Sequence, residues 1–212
     1  AFRRTNTEGT LRLARTLLDL QLLNGRFVFV SSLSVVGAVA ENPIRQADGT
    51  VAQGLDRYRA ITDADTPQPN TAYGRSKLDA ERALATLEGL DYVTLRPTGV
   101  YGPRERDYFL MADSIKKHID FAVGYTPQAL TFIYVRDLVD ACFLALHRGE
   151  RGRSYFLSDG EVYDSRAFSD LLQQEMGVKW VAHIKAPVWF LHAVCQVNTW
   201  ISKCTGKMST LN

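Results

Sequence analysis

Residues 26–32, RFVFVSS, are a short and continuously apolar run of Val and Phe that ends in two hydroxyls. Apolar and polar residues do not alternate here, so the run reads as a strand buried on both faces, the kind that parallel sheets supply. Upstream, residues 5–23 carry Leu11, Ala14, Leu18 and Leu22 at helical spacing, with Gly25 as the expected stop. Downstream, DYVTLRP (91–97), LTFIYV (130–135) and RSYFLSD (153–159) read as further strands. Helices are expected over 72–88, over FLMADSIKK, from Asp137 to about His147 and over SRAFSDLLQQEMG. Leu138, Ala141, Cys142, Ala145 and Leu146 form the inward face of the Asp137 helix. TGVYGPRERD (98–107) reads as a loop, and 38–70, with five Gly or Pro among polar residues, as a long connection of the kind that often carries function. Strands alternating with helices define the α/β class, a doubly wound parallel sheet. Ligands of such sheets sit at the carboxyl ends of the strands.

Composition excludes several classes. Of the 212 residues 46% are hydrophobic and 23% charged, as in ordinary globular domains. A net charge of +2 gives no reason to expect nucleic acid or an anionic membrane as partner. Cys142, Cys195 and Cys204 are odd in number and lack CxxC spacing, which suits a reducing, cytoplasmic setting rather than a disulfide framework or zinc. His118, His147, His183 and His192 form no close pair, so no metal is expected. The N-terminal residues enter a helical pattern with no signal-peptide core. Residues 186–207 are apolar but interrupted by His192, Gln196, Asn198 and Lys203, so an amphipathic helix is expected and no membrane span.

The chemistry gathers in TPQPNTAYGRSKLDAERAL, residues 66–84. Tyr73 and Lys77, at i and i+4, share one helix face. A cation beside a phenol favours the phenolate, and a phenol so tuned gives or takes a proton at a carbinol or carbonyl oxygen. The bland alternative is a surface tyrosine beside a solvated lysine. Ser31 and Ser32 end the first strand, where either a substrate oxygen or the strand's own backbone is their partner. In LRPTGVYGP, Pro97 is followed by Thr98 and Gly99, small enough for backbone to approach a flat ring, or simply a turn.

With NTEGTLRL, FVFVSSLSVVG, TAYGRSK, LRPTGVYGPR and TFIYVRDLVDA in that order, the chain resembles the extended short-chain dehydrogenase/reductases, the NAD-dependent epimerase/dehydratase family. The resemblance implies Tyr73 as acid/base, Lys77 as the residue that binds the nicotinamide ribose and lowers the tyrosine pKa, and Ser32 as the holder of the substrate oxygen. Ser31, Tyr73, Lys77, Pro97, Thr98, Gly99 and Val100 fall on the cofactor side, the cofactor being NAD or NADP. Leu33, Ser34 and Tyr108 join Ser32 on the side of a small-molecule substrate, and Asp137 helps fix its helix. Residues 1–102 with 130–147 would form the nucleotide-binding sheet, and 103–129 with 148–212 a smaller substrate-binding part. A homodimer through helices 5–23 and 72–88 is the family's habit.

Three departures qualify the resemblance. The family's glycine-rich phosphate cradle is not in the sequence, which opens inside the helix after the family's fourth strand and ends abruptly at KMSTLN. The 212 residues are therefore expected to be part of a longer protein and, alone, to bind cofactor badly. Leu33 and Ser34 stand where the family's dehydratases carry Asp-Glu, which disfavours dehydration. Val36 replaces the usual tyrosine, and the apolar LSVV, with Phe109, Trp189, Phe190 and Trp200, points to a less polar pocket than a nucleotide-sugar enzyme needs. The expectation is hydride transfer on a secondary alcohol or ketone, in the manner of a hydroxysteroid dehydrogenase or dihydroflavonol reductase. A nucleotide-sugar epimerase and a non-catalytic nucleotide sensor or scaffold are the alternatives.

Overall fold

Alternation of side chains along the first strand decides how the layers assemble. The structure, a computed structural model, describes residues 2–38, 43–125 and 128–187. In order, its elements are α1 (Thr10–Asp19), β1 (Phe27–Val30), α2 (Ala72–Ala85), β2 (Tyr92–Pro97), β3 (Gly99–Tyr101), α3 (Asp107–Lys116), β4 (Ile119–Val123), β5 (Ala129–Leu130), β6 (Phe132–Tyr134), α4 (Val135–Arg148), β7 (Ser154–Leu157), β8 (Tyr163–Asp164), α5 (Ser165–Glu175) and β9 (Ala182–Ala186). Strands β1, β2 and β7 form a parallel sheet in that order, with Phe27 opposite Tyr92 and Thr94 opposite Ser154. Phe27 and Phe29 point to one face, where Phe29 packs with Ala14 of α1, Ala80 and Leu84 of α2, and Leu90. Val28 points to the other, where Val93 and Leu95 meet Ala145 of α4. Successive strand residues face opposite ways, so a run apolar at every position needs a cover on each side.

The chain divides into two units. One comprises residues 1–103 and 129–163, and the other 104–128 and 164–212. In the second, β4 pairs parallel with β9, and Ile115 of α3 is fully buried. Asp120, buried in β4, accepts a hydrogen bond from, or donates one to, His183 Nδ1 at 2.8 Å, and the His118 ring stacks on Trp180.

Several expectations are corrected. Residues 148–163 were assigned to the smaller part, but Ser154–Leu157 extends the sheet in register with β2. Residues 99–101, expected as loop, form β3, paired parallel with β6; the Val-Tyr pair finds an apolar partner strand in Phe132–Tyr134. The first helix opens as a π-helical segment, Arg3–Gly9, and α1 ends at Asp19, six residues before Gly25. Gln21 takes the left-handed turn (φ 54°), with the Leu22 amide donating to the Leu17 carbonyl at 2.9 Å. α4 begins two residues before Asp137, which lies in its first turn, where a carboxylate suits the positive helix end. Leu146 is exposed, since one residue past the buried Ala145 is a 100° turn away. The segment from residue 188 onwards, with Trp189, Phe190 and Trp200, lies outside the described residues. No helix among the described residues is long and apolar enough to cross a membrane.

Leu84 is fully buried between α2 and the sheet. Leu84→Ala is expected to lower unfolding stability by about 2–5 kcal/mol. Urea denaturation checks it: the midpoint falls while the slope holds.

Candidate active site

The turn after β1 and the first turn of α2 are built against each other. Thr71 caps α2, its Oγ1 accepting from the Gly74 amide at 2.9 Å. A Cβ at Gly74 would run into the Ser34 carbonyl oxygen and stand 3.0 Å from Pro69 Cβ, so only glycine permits this approach. Gly37 (φ +99°) plays the matching part, since a Cβ there would collide with the Gln68 carbonyl, and the Gln68 amide donates to Val36 O at 3.2 Å. The π-helical segment grips the same stretch of α2, with Thr7 Oγ1 donating to Ser76 O at 2.8 Å and Asn6 to Ser76 Oγ at 3.0 Å.

Ser31 follows β1 and is buried, its amide donating to Leu95 O at 2.7 Å. Its Oγ has no partner among the described residues, and neither has the buried Thr98 Oγ1 that follows β2. Ser32 opens the Leu33–Val35 turn of 3₁₀-helix, its Oγ accepting from Ser34 N at 3.2 Å and from Ser34 Oγ at 3.0 Å. Ser32 thus serves as a cap in this structure, and its own hydroxyl proton is free to be donated elsewhere.

Tyr73 is exposed on the first turn of α2, with the Phe2 ring edge-on at 5.7 Å between centroids. Lys77 lies half-buried one turn along. Its Nζ donates to Val30 O at 2.9 Å and sits 5.8 Å from the Tyr73 ring centroid and 5.1 Å from that of Phe29. Burial pulls the Lys77 pKa below its ordinary value, and the carboxylate of Glu81, a further turn along, opposes that pull. Glu81 is buried and bound at two points by Arg96 of β2, Nε to Oε1 at 3.1 Å and Nη2 to Oε2 at 2.7 Å. The Arg96 guanidinium lies over the Phe156 ring of β7, 5.4 Å from its centroid.

Of the sequence-derived residues, Ser31, Ser32, Leu33, Ser34, Tyr73, Lys77, Pro97, Thr98, Gly99 and Val100 all belong to the first unit. Ser31 to Ser34 follow β1, Pro97 ends β2, Thr98 follows it, and Gly99 and Val100 lie in β3, not in a loop. Tyr108 belongs to the second unit, on α3, its ring edge-on to Phe168 at 5.8 Å and its phenol pKa raised by burial. Among the described residues no group of His, Cys, Asp and Glu is arranged to hold a metal ion.

Sequence reasoning missed two features. One is the Glu81–Arg96 pair, foreshadowed by an arginine on the α2-facing side of an otherwise apolar strand. The other is a cavity of about 620 Å³ within the first unit, running from Leu33 and Thr98 to Ile44, Leu55, Phe156 and Val162. Its signal was the scatter of Ile44, Leu55, Tyr58 and Ile61 through the polar 38–70 connection.

Together these features define a class: a parallel α/β fold with hydroxyls at the strand ends, facing a helix that carries Tyr-x-x-x-Lys. The chain belongs to the NAD dependent epimerase/dehydratase family, whose model matches residues 1–163. It is 28% identical to a UDP-glucose 4-epimerase of Vibrio cholerae over 98% of its own length and 56% of that protein's. A match to sterol demethylase protein B of Methylococcus capsulatus is 32% identical over 43% of the chain and 29% of that relative. Among solved structures, RMD from Pseudomonas aeruginosa, complexed with NADPH, matches at 25% identity and a TM-score of 0.68, over 86% of this chain and 60% of that one. The chain thus spans little more than half the length of the epimerase.

Removing one partner of the Glu81–Arg96 pair leaves a buried charge unpaired. Glu81→Ala is expected to cost about 3–5 kcal/mol, and Glu81→Leu combined with Arg96→Met much less. A thermal denaturation series of the two variants checks the difference.

Proposed function

We propose that this chain carries the proton-transfer half of an NAD(P)-dependent oxidoreductase that moves a hydride to or from a secondary alcohol or ketone, with Ser32, Tyr73 and Lys77 as its catalytic residues. The observation that supports the reading is the glycine-only contact of Gly74 with Ser34, which sets the turn after β1 against the first turn of α2, together with Lys77 Nζ 5.8 Å from the Tyr73 ring centroid. Ser31, Lys77 and Pro97 to Val100 would hold the nicotinamide and its ribose. The unpartnered Ser31 and Thr98 hydroxyls and a lysine at the end of β1 fit the polar edge of such a group. A nicotinamide dinucleotide, when bound, supplies or accepts the hydride. In the reducing direction Ser32 donates a hydrogen bond to the carbonyl oxygen of the substrate. Tyr73 then gives its proton to that oxygen as the carbonyl becomes an alcohol. Lys77 sets a positive charge beside the ring on which negative charge is left. The oxidising direction runs the same transfers backwards.

A nucleotide-sugar epimerase is the second reading, favoured by the 28% identity to the Vibrio cholerae UDP-glucose 4-epimerase across 98% of the chain. It uses the same three residues and differs in letting the keto intermediate turn before the hydride returns. Dehydration is disfavoured by Leu33 and Ser34, neither of which has a carboxylate for the leaving hydroxyl. A cytoplasmic setting and a homodimer through α1 and α2 belong to the same proposal. The exposed Leu13, Leu20 and Leu22 support the dimer, because apolar side chains grouped at a surface favour association.

Tyr73→Phe is expected to lower turnover about 10²–10⁴-fold, the usual worth of a positioned acid/base, and to leave cofactor affinity unchanged. Calorimetric titration with NAD(H) and NADP(H), run beside a hydride-transfer assay, separates the two effects; full turnover by the variant sinks the reading. Leu13→Asp is expected to shift a dimer to monomer in light scattering after gel filtration, with the far-ultraviolet dichroism unaltered.

A further inference from the structure

The cavity beside the strand ends has a chemistry of its own. Its outer wall is the 43–61 segment, folded back on itself by antiparallel bridges between Pro43 and Tyr58 and between Arg45 and Val51. The Ala52 amide donates to Ile44 O at 3.0 Å, which holds the segment as a structured flap over the strand ends. The flap offers Ile44, Leu55 and Ile61, and the opposite wall offers Phe156 and Val162. At about 620 Å³ the cavity is of the size that holds drug-sized molecules.

Its polar groups are few and wrongly charged for an anionic ligand. The charged lining residues among those described are Asp56, Glu161 and Arg59. Arg59 is already bound at two points by Asp65, one of them Nη1 to Oδ2 at 2.9 Å, and Asp65 also accepts from the Thr62 amide at 2.7 Å. Two carboxylates and a neutralised cation repel a diphosphate. A hexose fares badly for a second reason: each hydroxyl removed from water needs a partner, and beside Tyr58, Thr131 and Ser158 the uncharged wall is mainly aliphatic and aromatic. Thr98 also lines the cavity, its Oγ1 buried and without a partner among the described residues.

We propose that this cavity is the substrate pocket and that it selects a neutral, largely apolar molecule over a nucleotide sugar, with Ile44, Leu55, Ile61, Phe156 and Val162 as the specificity-determining residues. The identity of the reacting group as a ketone or secondary alcohol rests on the reaction proposed above; the apolar body of the ligand rests on the cavity alone. Leu33 lines the cavity and follows Ser32 directly in the chain, which is the link between the pocket and the proposed oxygen-binding hydroxyl.

Nile red titration of the 212-residue chain tests this, read by fluorescence enhancement. The expected result is saturable dye binding, displaced by 2-undecanone and not by UDP-glucose. Val162→Asp and Ile61→Asp should each weaken dye binding by about tenfold or more, since an apolar ligand packing against the carboxylate strips its hydration without giving it a partner. Val162 is 53% exposed, so its replacement leaves the fold intact, as circular dichroism verifies. Displacement by UDP-glucose, or dye binding unaltered in both variants, overturns the pocket. Tyr73→Phe should bind dye as the parent does, which separates this test from the reaction. Displacement by the ketone without any cofactor-dependent turnover upholds the pocket and overturns the reaction; ketone turnover with dye binding insensitive to both variants does the reverse.

Discussion

A helix and a turn of the first unit meet with no side chain between them. α2 comes so near the turn after β1 that the two meet through the backbone at Gly74 and the carbonyl of Ser34. Two otherwise unrelated pieces of chain are thereby referenced to each other without an intervening side chain, and side chains are the parts that move. The second glycine, Gly37, repeats the device where the same turn meets residue 68. Packed interiors are stiff, so a backbone contact of this kind transmits position faithfully. That is what a proton donor needs if it is to find the same oxygen each time, because catalytic geometry tolerates little displacement.

The charges behind this contact form a graded series. Lys77 is half-buried and pays for that in proton affinity, Glu81 partly restores it, and Arg96 holds Glu81 from the sheet. Without Arg96, Glu81 would be a buried carboxylate with no partner for its charge. Without Glu81, Arg96 would be a buried guanidinium beneath the sheet's covering helix. The pair therefore has a role distinct from holding the fold together: replacement by apolar residues conserves packing and removes the field that supports the lysine. This is why a buried ion pair, often a neutral or weak contributor to stability, is intelligible at this position.

The layers were legible in the sequence because they follow from periodicity. An apolar residue at every position of 27–30 requires two covers, and the Leu and Ala spacing of 10–19 and 72–85 supplies one of them. Short elements were not legible. Three residues at 99–101 have no period to read, and only the partner strand at 132–134 makes them a strand. The end of α1 was misjudged because Gly25 is the conspicuous stop, whereas the turn is taken by Gln21, a residue whose type gives no such signal. The same contrast holds at the site. Tyr73, Lys77 and Ser32 stand out by spacing and by their place at a strand end. The Glu81–Arg96 pair joins positions fifteen residues apart, and the cavity joins Leu33 to Val162, relations that exist only once the chain is folded.

The two halves of the site differ in what they allow to vary. Ser32, Tyr73 and Lys77 stand on a strand end and a helix, and the work proposed for them, moving one proton to or from one oxygen, is common to reduction and to epimerisation. The walls that would meet the rest of the proposed ligand come mainly from the 43–61 flap and the 156–162 stretch, which lie between the regular elements or at their ends. Connections tolerate substitution far better than packed elements do, so ligand preference can change there while the proton chemistry stays fixed. On that division, likeness to a UDP-glucose 4-epimerase over 98% of the chain speaks to the scaffold and its shared chemistry. The charge and polarity of the flap speak to the ligand. Where the two disagree, as they do over a diphosphate, the residues that would touch the ligand carry the greater weight.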